Sequence, residues 1–280
     1  MIMQPIGRQA MPDRSLTVRR LWVFTLLVFA ISAVSYSWMI SSGSARDVGL
    51  SWMWSPGLAA VLTQLIFKGS LRDFGWGPGP ARYLILAALI PLGYSVAIYG
   101  LVWTTGLAGF QSPSPNLVVA VAPGLLFACF AALGEEIGWR GFLVPQLIKI
   151  TTFTKTVLLS WIIWALWHYP AIIWADYHSN APRWFDVASL ALTLVGLSAM
   201  AAWMRLKSGS VWPPVIWHGT HNLLVQGVFL SMTIDTDIGE YLVDDFGLGV
   251  MVTGLLLALI FLWKGRNIAE LGEIATSQTG

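Results

Sequence analysis

Apolar residues run along this 280-residue chain in long blocks separated by short polar punctuation. The extreme case is Tyr83 to Gly134, 52 consecutive residues without Asp, Glu, Lys or Arg. A helix that crosses the hydrocarbon of a bilayer needs about 20 mostly apolar residues. Eight stretches fit: Leu21–Ile40, Gly49–Phe67, Tyr83–Thr105, Leu117–Trp139, Val157–Ala175, Val187–Met204, Val211–Met232 and Phe246–Trp263. The third and fourth are parted by Gln111–Asn116, "QSPSPN", whose two prolines among Ser and Asn predict a turn. The second is the weakest, because Pro56–Gly57 interrupts it. The first follows Arg14, Arg19 and Arg20, as the core of a signal peptide would. Its apolar run exceeds the roughly 7–15 residues of such a core and no Ala-x-Ala site ends it, so it is expected to be retained.

The basic residues orient these spans, because cytoplasmic loops are enriched in Lys and Arg. With the N-terminus in the cytoplasm, the inner segments hold 14 of the 16 basic residues: Arg8, Arg14, Arg19, Arg20, Lys68, Arg72, Arg82, Arg140, Lys149, Lys155, Arg205, Lys207, Lys264 and Arg266. Only Arg46 and Arg183 fall outside, together with an acidic cluster of Asp235, Asp237, Glu240, Asp244 and Asp245. Losing or gaining one span would scramble this pattern. The expected fold is an all-α integral membrane protein, a bundle of about eight transmembrane helices with both termini cytoplasmic. Its expected organisation is an N-terminal tail with three motif-free spans (1–115), a functional core of four spans (116–232), and an acidic outer loop, last span and tail (233–280).

Composition agrees. The chain is 56% hydrophobic and 11% charged, with mean hydropathy +0.68, against about 25% charged residues in soluble domains. A net charge of +2 offers no basic field for nucleic acid. The single cysteine, Cys129, excludes a disulfide within one chain and a cysteine-based metal cluster. No repeat or low-complexity stretch is present. With no organelle-targeting segment, the expected location is the cell membrane, as a multi-pass protein. Oligomeric state is left open. Most of the 16 tryptophans read as packing or, like Trp22, Trp139 and Trp263 near span ends, as interface anchors.

Ionisable residues inside spans are costly and face a bundle interior or a wet cavity. Here they are few: Glu135, Glu136 and Arg140 in "LGEEIGWRGF", His168 in "WALWHYP", and His218 and His221, beside Asn222, in "WHGTHNLL". The fourth histidine, His178, falls in an outer loop. On a helix, residues four apart share a face. Glu136 and Arg140 therefore form an ion pair in the favourable order. Glu135 points about 100° away and is free to act as a general base. His218 and Asn222 share a face and could donate two hydrogen bonds to one oxyanion; His221 lies toward the neighbouring face. Trp164 sits one turn before His168. Trp164 and His221 are expected to wall the site. Gly134, Gly138 and Gly141 allow close helix approach around it.

These residues resemble a known family. "EEIGWR", "WALWH" and "HGTHN" are similar to the three motifs, Glu-Glu-x-x-x-Arg, Phe-x-x-x-His and His-x-x-x-Asn or Asp, of the CAAX-protease and bacteriocin-processing (CPBP, or Abi) intramembrane proteases. The first and third match fully; the second has Trp164 where Phe is usual. The motifs cover Gly134 to Asn222. The resemblance implies hydrolysis of a peptide bond in a membrane-associated or prenylated substrate. By motif position it implies that Glu135 and His168 activate water, that His218 and Asn222 stabilise the oxyanion, and that Glu136 and Arg140 support the site.

No cofactor is favoured. Zinc is the alternative, held by Glu135, His168 and His218 with one position open. No His-Glu-x-x-His motif is present, nor a Gly-x-Ser-x-Gly stretch for a serine enzyme. A proton-coupled transporter, or an inactive scaffold or immunity protein with the same fold, are the rival readings. Glu135 and His218 lie within about two turns of the cytoplasmic span ends, whereas His168 lies near the midplane. A cavity reaching the midplane from the cytoplasmic side is the expected way to join them.

Overall fold

The computed structural model describes residues 13–268. Arg8 and tail residues 269–280 lie outside them. Eight helical rods occur among the described residues: α1 (Arg14–Ser42), α2 (Gly49–Ile66), α3 (Ala81–Thr104), α4 (Pro115–Leu147), α5 (Phe153–Trp174), α6 (Arg183–Ser208), α7 (Trp212–His221, continued by Asn222–Phe229) and α8 (Leu248–Gly265). Every apolar block of the sequence becomes one rod. Six of them are long and apolar enough to cross a membrane, namely α1, α3, α4, α5, α6 and α8. The two that fall short of the eight expected are α2, diluted by Trp, Ser, Pro and Gln, and α7, whose regular α-helix stops at His221.

Local chemistry explains the ends. Asp13 caps α1, its carboxylate accepting from the backbone N–H groups of Ser15 and Leu16. Ser114 caps α4 ahead of Pro115, as the "SPSP" turn predicted. Thr152 caps α5, which starts four residues earlier than the apolar pattern suggested. Pro56 does not break α2. It cannot donate to the Trp52 carbonyl, but the Ser55 hydroxyl does so at 2.7 Å, and the helix runs on. The fold departs from all-α at one point. Gly109–Phe110 (β1) pairs antiparallel with Thr233–Ile234 (β2), tying the α3–α4 loop to the connector before α8.

Helix α4 runs eight residues past the expected end at Trp139. It does so by widening to a π-helix over Ile137–Leu143 before a last α-turn, Val144–Leu147. A second π segment, Asn222–Phe229, ends α7. Such segments concentrate at functional sites, and both begin within two residues of a motif.

Small residues let the rods approach. A Cβ on Gly134 would lie 2.7 Å from Trp54 Cα, and one on Gly138 would lie 2.5 Å from Pro56 Cβ, so α2 and α4 touch almost backbone to backbone. Gly141 makes only ordinary contacts. Helix α6, the most deeply buried rod, meets α8 where a Cβ on Gly196 would fall 1.7 Å from the Gly254 carbonyl oxygen. Polar side chains join α1 to α2 and α5: Ser32 bonds Ser55 at 2.6 Å, and the Trp167 indole donates to Ser32 at 2.8 Å.

Overpacking costs about 1–3 kcal/mol, so Gly196→Val should lower the unfolding free energy of the detergent-solubilised protein by at least that much. Gly93→Ala, which meets open space, should not. Equal midpoints in thermal unfolding would refute the close approach.

Candidate active site

Helices α4, α5 and α7 bring the three motifs together. Arg140 donates to Glu136 Oε1 at 3.0 Å across one turn, as the spacing predicted. His218 Nδ1 donates to that same oxygen at 2.9 Å, a bond the spacing could not foretell because it joins residues 82 apart in sequence. Glu136 is wholly buried and Arg140 nearly so. The Arg140 guanidinium and the His218 N–H compensate a charge that would otherwise be very costly there.

Glu135 is also buried but makes different contacts. The indole N–H groups of Trp164 and Trp139 both donate to its Oε2, at 2.9 and 3.2 Å. Its Oε1 faces His218 Nε2 across 4.0 Å, too long for a direct hydrogen bond. Trp164 acts three ways. Its indole orients Glu135, its ring lies 4.2 Å from the Arg140 guanidinium, and its carbonyl accepts from His168 Nδ1 at 2.9 Å. The ring and the carbonyl contacts are open to the usual Phe as well; the indole bond to Glu135 is not. Trp139, expected as an interface anchor, is buried and bonded to Glu135 instead.

The acceptors fix tautomers. A carbonyl and an ionised carboxylate can only accept, so His168 and His218 each carry a proton on Nδ1. Each then turns Nε2 to other partners. Glu135, Trp164, His168, His218, His221 and Asn222 line one cavity of about 370 Å³.

His221 does more than wall the cavity. Its Nε2 donates to Asp245 Oδ1 at 2.9 Å, and its Nδ1 accepts from the Tyr94 hydroxyl at 2.5 Å. Asp245 also accepts from Tyr177 and Gln226. Asp245, expected in the outer acidic cluster, thus lines the cavity, and no periodicity marks it because it sits in a connector. Burial opposes its ionisation, but the His221, Tyr177 and Gln226 bonds outweigh burial and hold its carboxyl below the usual carboxylate range. Its neighbour Asp244 has no such partners. Burial and the like charge of Asp245 push Asp244 up to about 7.

No connector from the end that carries most of the Lys and Arg lines the cavity. The lining residues that lie in connectors are Ala45 and Arg46 between α1 and α2, Asp176 and Tyr177 between α5 and α6, and Asp245 before α8. All belong to the end opposite the basic one. Beneath the site, the basic end is filled by buried Phe24, Phe74 and Phe142. Arg205 ties that end together by donating to the carbonyls of Arg140 and Asp73 at 2.9 and 3.1 Å.

Residues 116–224 match the family described as type II CAAX prenyl endopeptidase Rce1-like. That segment contains every motif residue, from Glu135 to Asn222. Over that segment the chain is similar to that family. The chain is also 29% identical, over 58% of its length, to CAAX prenyl protease 2 of Methanococcus maripaludis, and spans 59% of that relative. The Rce1-like match begins at the second residue of α4 and ends inside the π segment of α7, so α1 to α3 and α8 lie outside it.

Zinc would need three donors converging on one point. Among the described residues no three His, Cys, Asp or Glu side chains are grouped closely enough to hold a metal ion, and one oxygen of Glu135 is already bonded by two indoles.

Two measurements follow. Trp164→Phe keeps the ring over Arg140 and deletes one hydrogen bond to a carboxylate. Bonds to charged groups contribute about 1.5–3 kcal/mol, so unfolding stability should fall by that order; an unchanged value would show that the indole does not hold Glu135. The second concerns pH. Because Asp244 binds its proton more tightly folded than unfolded, stability is highest below about 4 and is lost as pH rises toward about 7. Asp244→Asn, which keeps a residue suited to the φ of +69 there, should remove that decline in thermal unfolding scans. A decline of the same size in the variant would rule Asp244 out as its source.

Proposed function

We propose that this protein is an intramembrane endopeptidase of the CAAX prenyl protease type, in which Glu135 and His168 activate water against a peptide carbonyl. The observation that carries the reading is the arrangement of Glu135: one oxygen held by two indoles, the other turned to the cavity 4.0 Å from His218 Nε2. A water between them can reach hydrogen-bond distance of both. The Nε2 of His168 is free to accept a proton, since its Nδ1 proton is held by the Trp164 carbonyl.

Water attacks the scissile carbonyl carbon as one of its protons passes to Glu135. The carbonyl oxygen gains the negative charge, which His218 in its doubly protonated form and the Asn222 amide stabilise. The C–N bond then breaks, and the proton is delivered to the leaving amine. Glu136 serves this by holding His218 Nδ1, which aims Nε2 into the cavity. The substrate is a membrane-associated or prenylated peptide, as the relative's name suggests for that relative.

We further infer that all eight rods cross a cell membrane with both termini in the cytoplasm. The charge asymmetry of the two ends supports it, since 13 of the 15 basic residues among the described ones fall at one end. Glu135→Gln keeps the shape and removes the base. General acid–base catalysis contributes about 10²–10⁴-fold, so cleavage of a prenylated peptide by the purified variant should fall by that factor with an unchanged melting midpoint. Full activity would end the proposal. Repeating the assay with a chelator would test the reading without a metal, which predicts no loss.

A further inference from the structure

The structure assigns Tyr94, Tyr99 and Asp245 as positioning residues that clamp the π segment of α7 and thereby aim the Asn222 amide. The clamp stands on geometry alone; its effect on turnover rests on the endopeptidase reading.

The two oxyanion donors of that reading are held differently. His218 is aimed through its Nδ1 by Glu136 at 2.9 Å. The Asn222 side chain, half-buried on the cavity wall, has no hydrogen-bond partner among the described residues. Its direction is therefore set by the backbone that carries it. That backbone is a junction. The Asn222 N–H is shared between the carbonyls of His218 and Gly219, and the α-helix gives way there to the π segment Asn222–Phe229. A π turn is rare, and a side chain at its edge swings with small backbone shifts unless contacts from other elements fix it.

Those contacts fall on both sides of Asn222. Immediately before it, the His221 ring is fastened at both nitrogens. Nδ1 is held by the Tyr94 hydroxyl of α3 at 2.5 Å, and Nε2 by Asp245 of the connector before α8 at 2.9 Å. Beyond it, the Val225 carbonyl accepts from the Tyr99 hydroxyl, also of α3, at 2.7 Å. The next residue, Gln226, donates to Asp245. Tyr99 in turn accepts from the Asp244 N–H at 3.2 Å, so α3 and the connector hold each other as well as α7. Asp244 takes a φ of +69, uncommon away from glycine. Such a backbone persists where the surrounding contacts over-determine it. Tyr94, Tyr99, His221, Val225 and Asp245 are all buried. Neither tyrosine lines the cavity, so their hydroxyls reach the reaction only through α7. Loss of their bonds frees the π segment to relax, which shifts the Asn222 amide relative to His218.

Removing the two hydroxyls tests this while keeping both rings. A misplacement of about 1 Å can cost about 10²-fold, so kcat of Tyr94→Phe/Tyr99→Phe on a prenylated peptide should fall by about 10- to 100-fold with KM unchanged. In an Asn222→Ala background there is no amide left to aim, and the same pair should change kcat by less than about twofold. A loss carried by KM, the same factor lost in both backgrounds, or no loss at all overturns the assignment. Amide hydrogen exchange reads the clamp without turnover. Exchange over residues 222–229 should quicken in the tyrosine pair and in Asp245→Ala, while α1 exchanges as in the wild type. Unchanged exchange over 222–229 in either variant overturns the part of the clamp that the variant removes. A wild-type protein that cleaves no prenylated peptide ends the endopeptidase reading instead, and the exchange still decides the clamp.

Discussion

The buried carboxylate of Glu136 is the constraint on which the site depends. It is wholly removed from solvent in a bundle of apolar helices, where an unpaired charge is very costly. Two donors meet on one of its oxygens, Arg140 from its own helix and His218 from α7. That shared oxygen locks α4 to α7 and sets the His218 tautomer. It also leaves the neighbouring Glu135 as the carboxylate with an oxygen turned to open space. Removing any one of the three would leave a buried charge, or a buried donor, without its partner.

Trp164 extends the same logic into α5. A single residue holds Glu135 through its indole, covers Arg140 with its ring and fixes His168 through its carbonyl. At this position the family's usual Phe offers the ring and the carbonyl but no indole N–H. The substitution therefore changes how the carboxylate is held, since a hydrogen-bond donor replaces a C–H edge. With Trp139 on the other side, Oε2 is committed and Oε1 is left for chemistry.

The two π segments show how an apolar helix accommodates such a site. A one-residue widening after Glu136 and another at Asn222 rotate the residues that follow. The Glu136–Arg140 bond survives the first of these. Close packing of α2 against Gly134 and Gly138 then seals the far side of the carboxylates from the membrane. The connectors complete the enclosure: Asp245 reaches in from the acidic end to hold His221, and Tyr177 closes on Asp245.

The eight apolar blocks, the Glu136–Arg140 pair and the shared face of His218 and Asn222 could be read from the chain, because helix periodicity and hydropathy act over a few residues; His168 joined them only through the motif resemblance. The loop charges likewise divided the two ends before any coordinates. Other features came only with the tertiary structure. The Glu136–His218 bond, the tryptophan clamp on Glu135, the Asp245–His221–Tyr94 chain and the mouth of the cavity all join residues far apart in sequence. Local spacing carries no information about them. They are settled by which helices touch, and that follows from small residues such as Gly134, Gly138, Gly196 and Gly254, whose missing side chains let particular backbones meet.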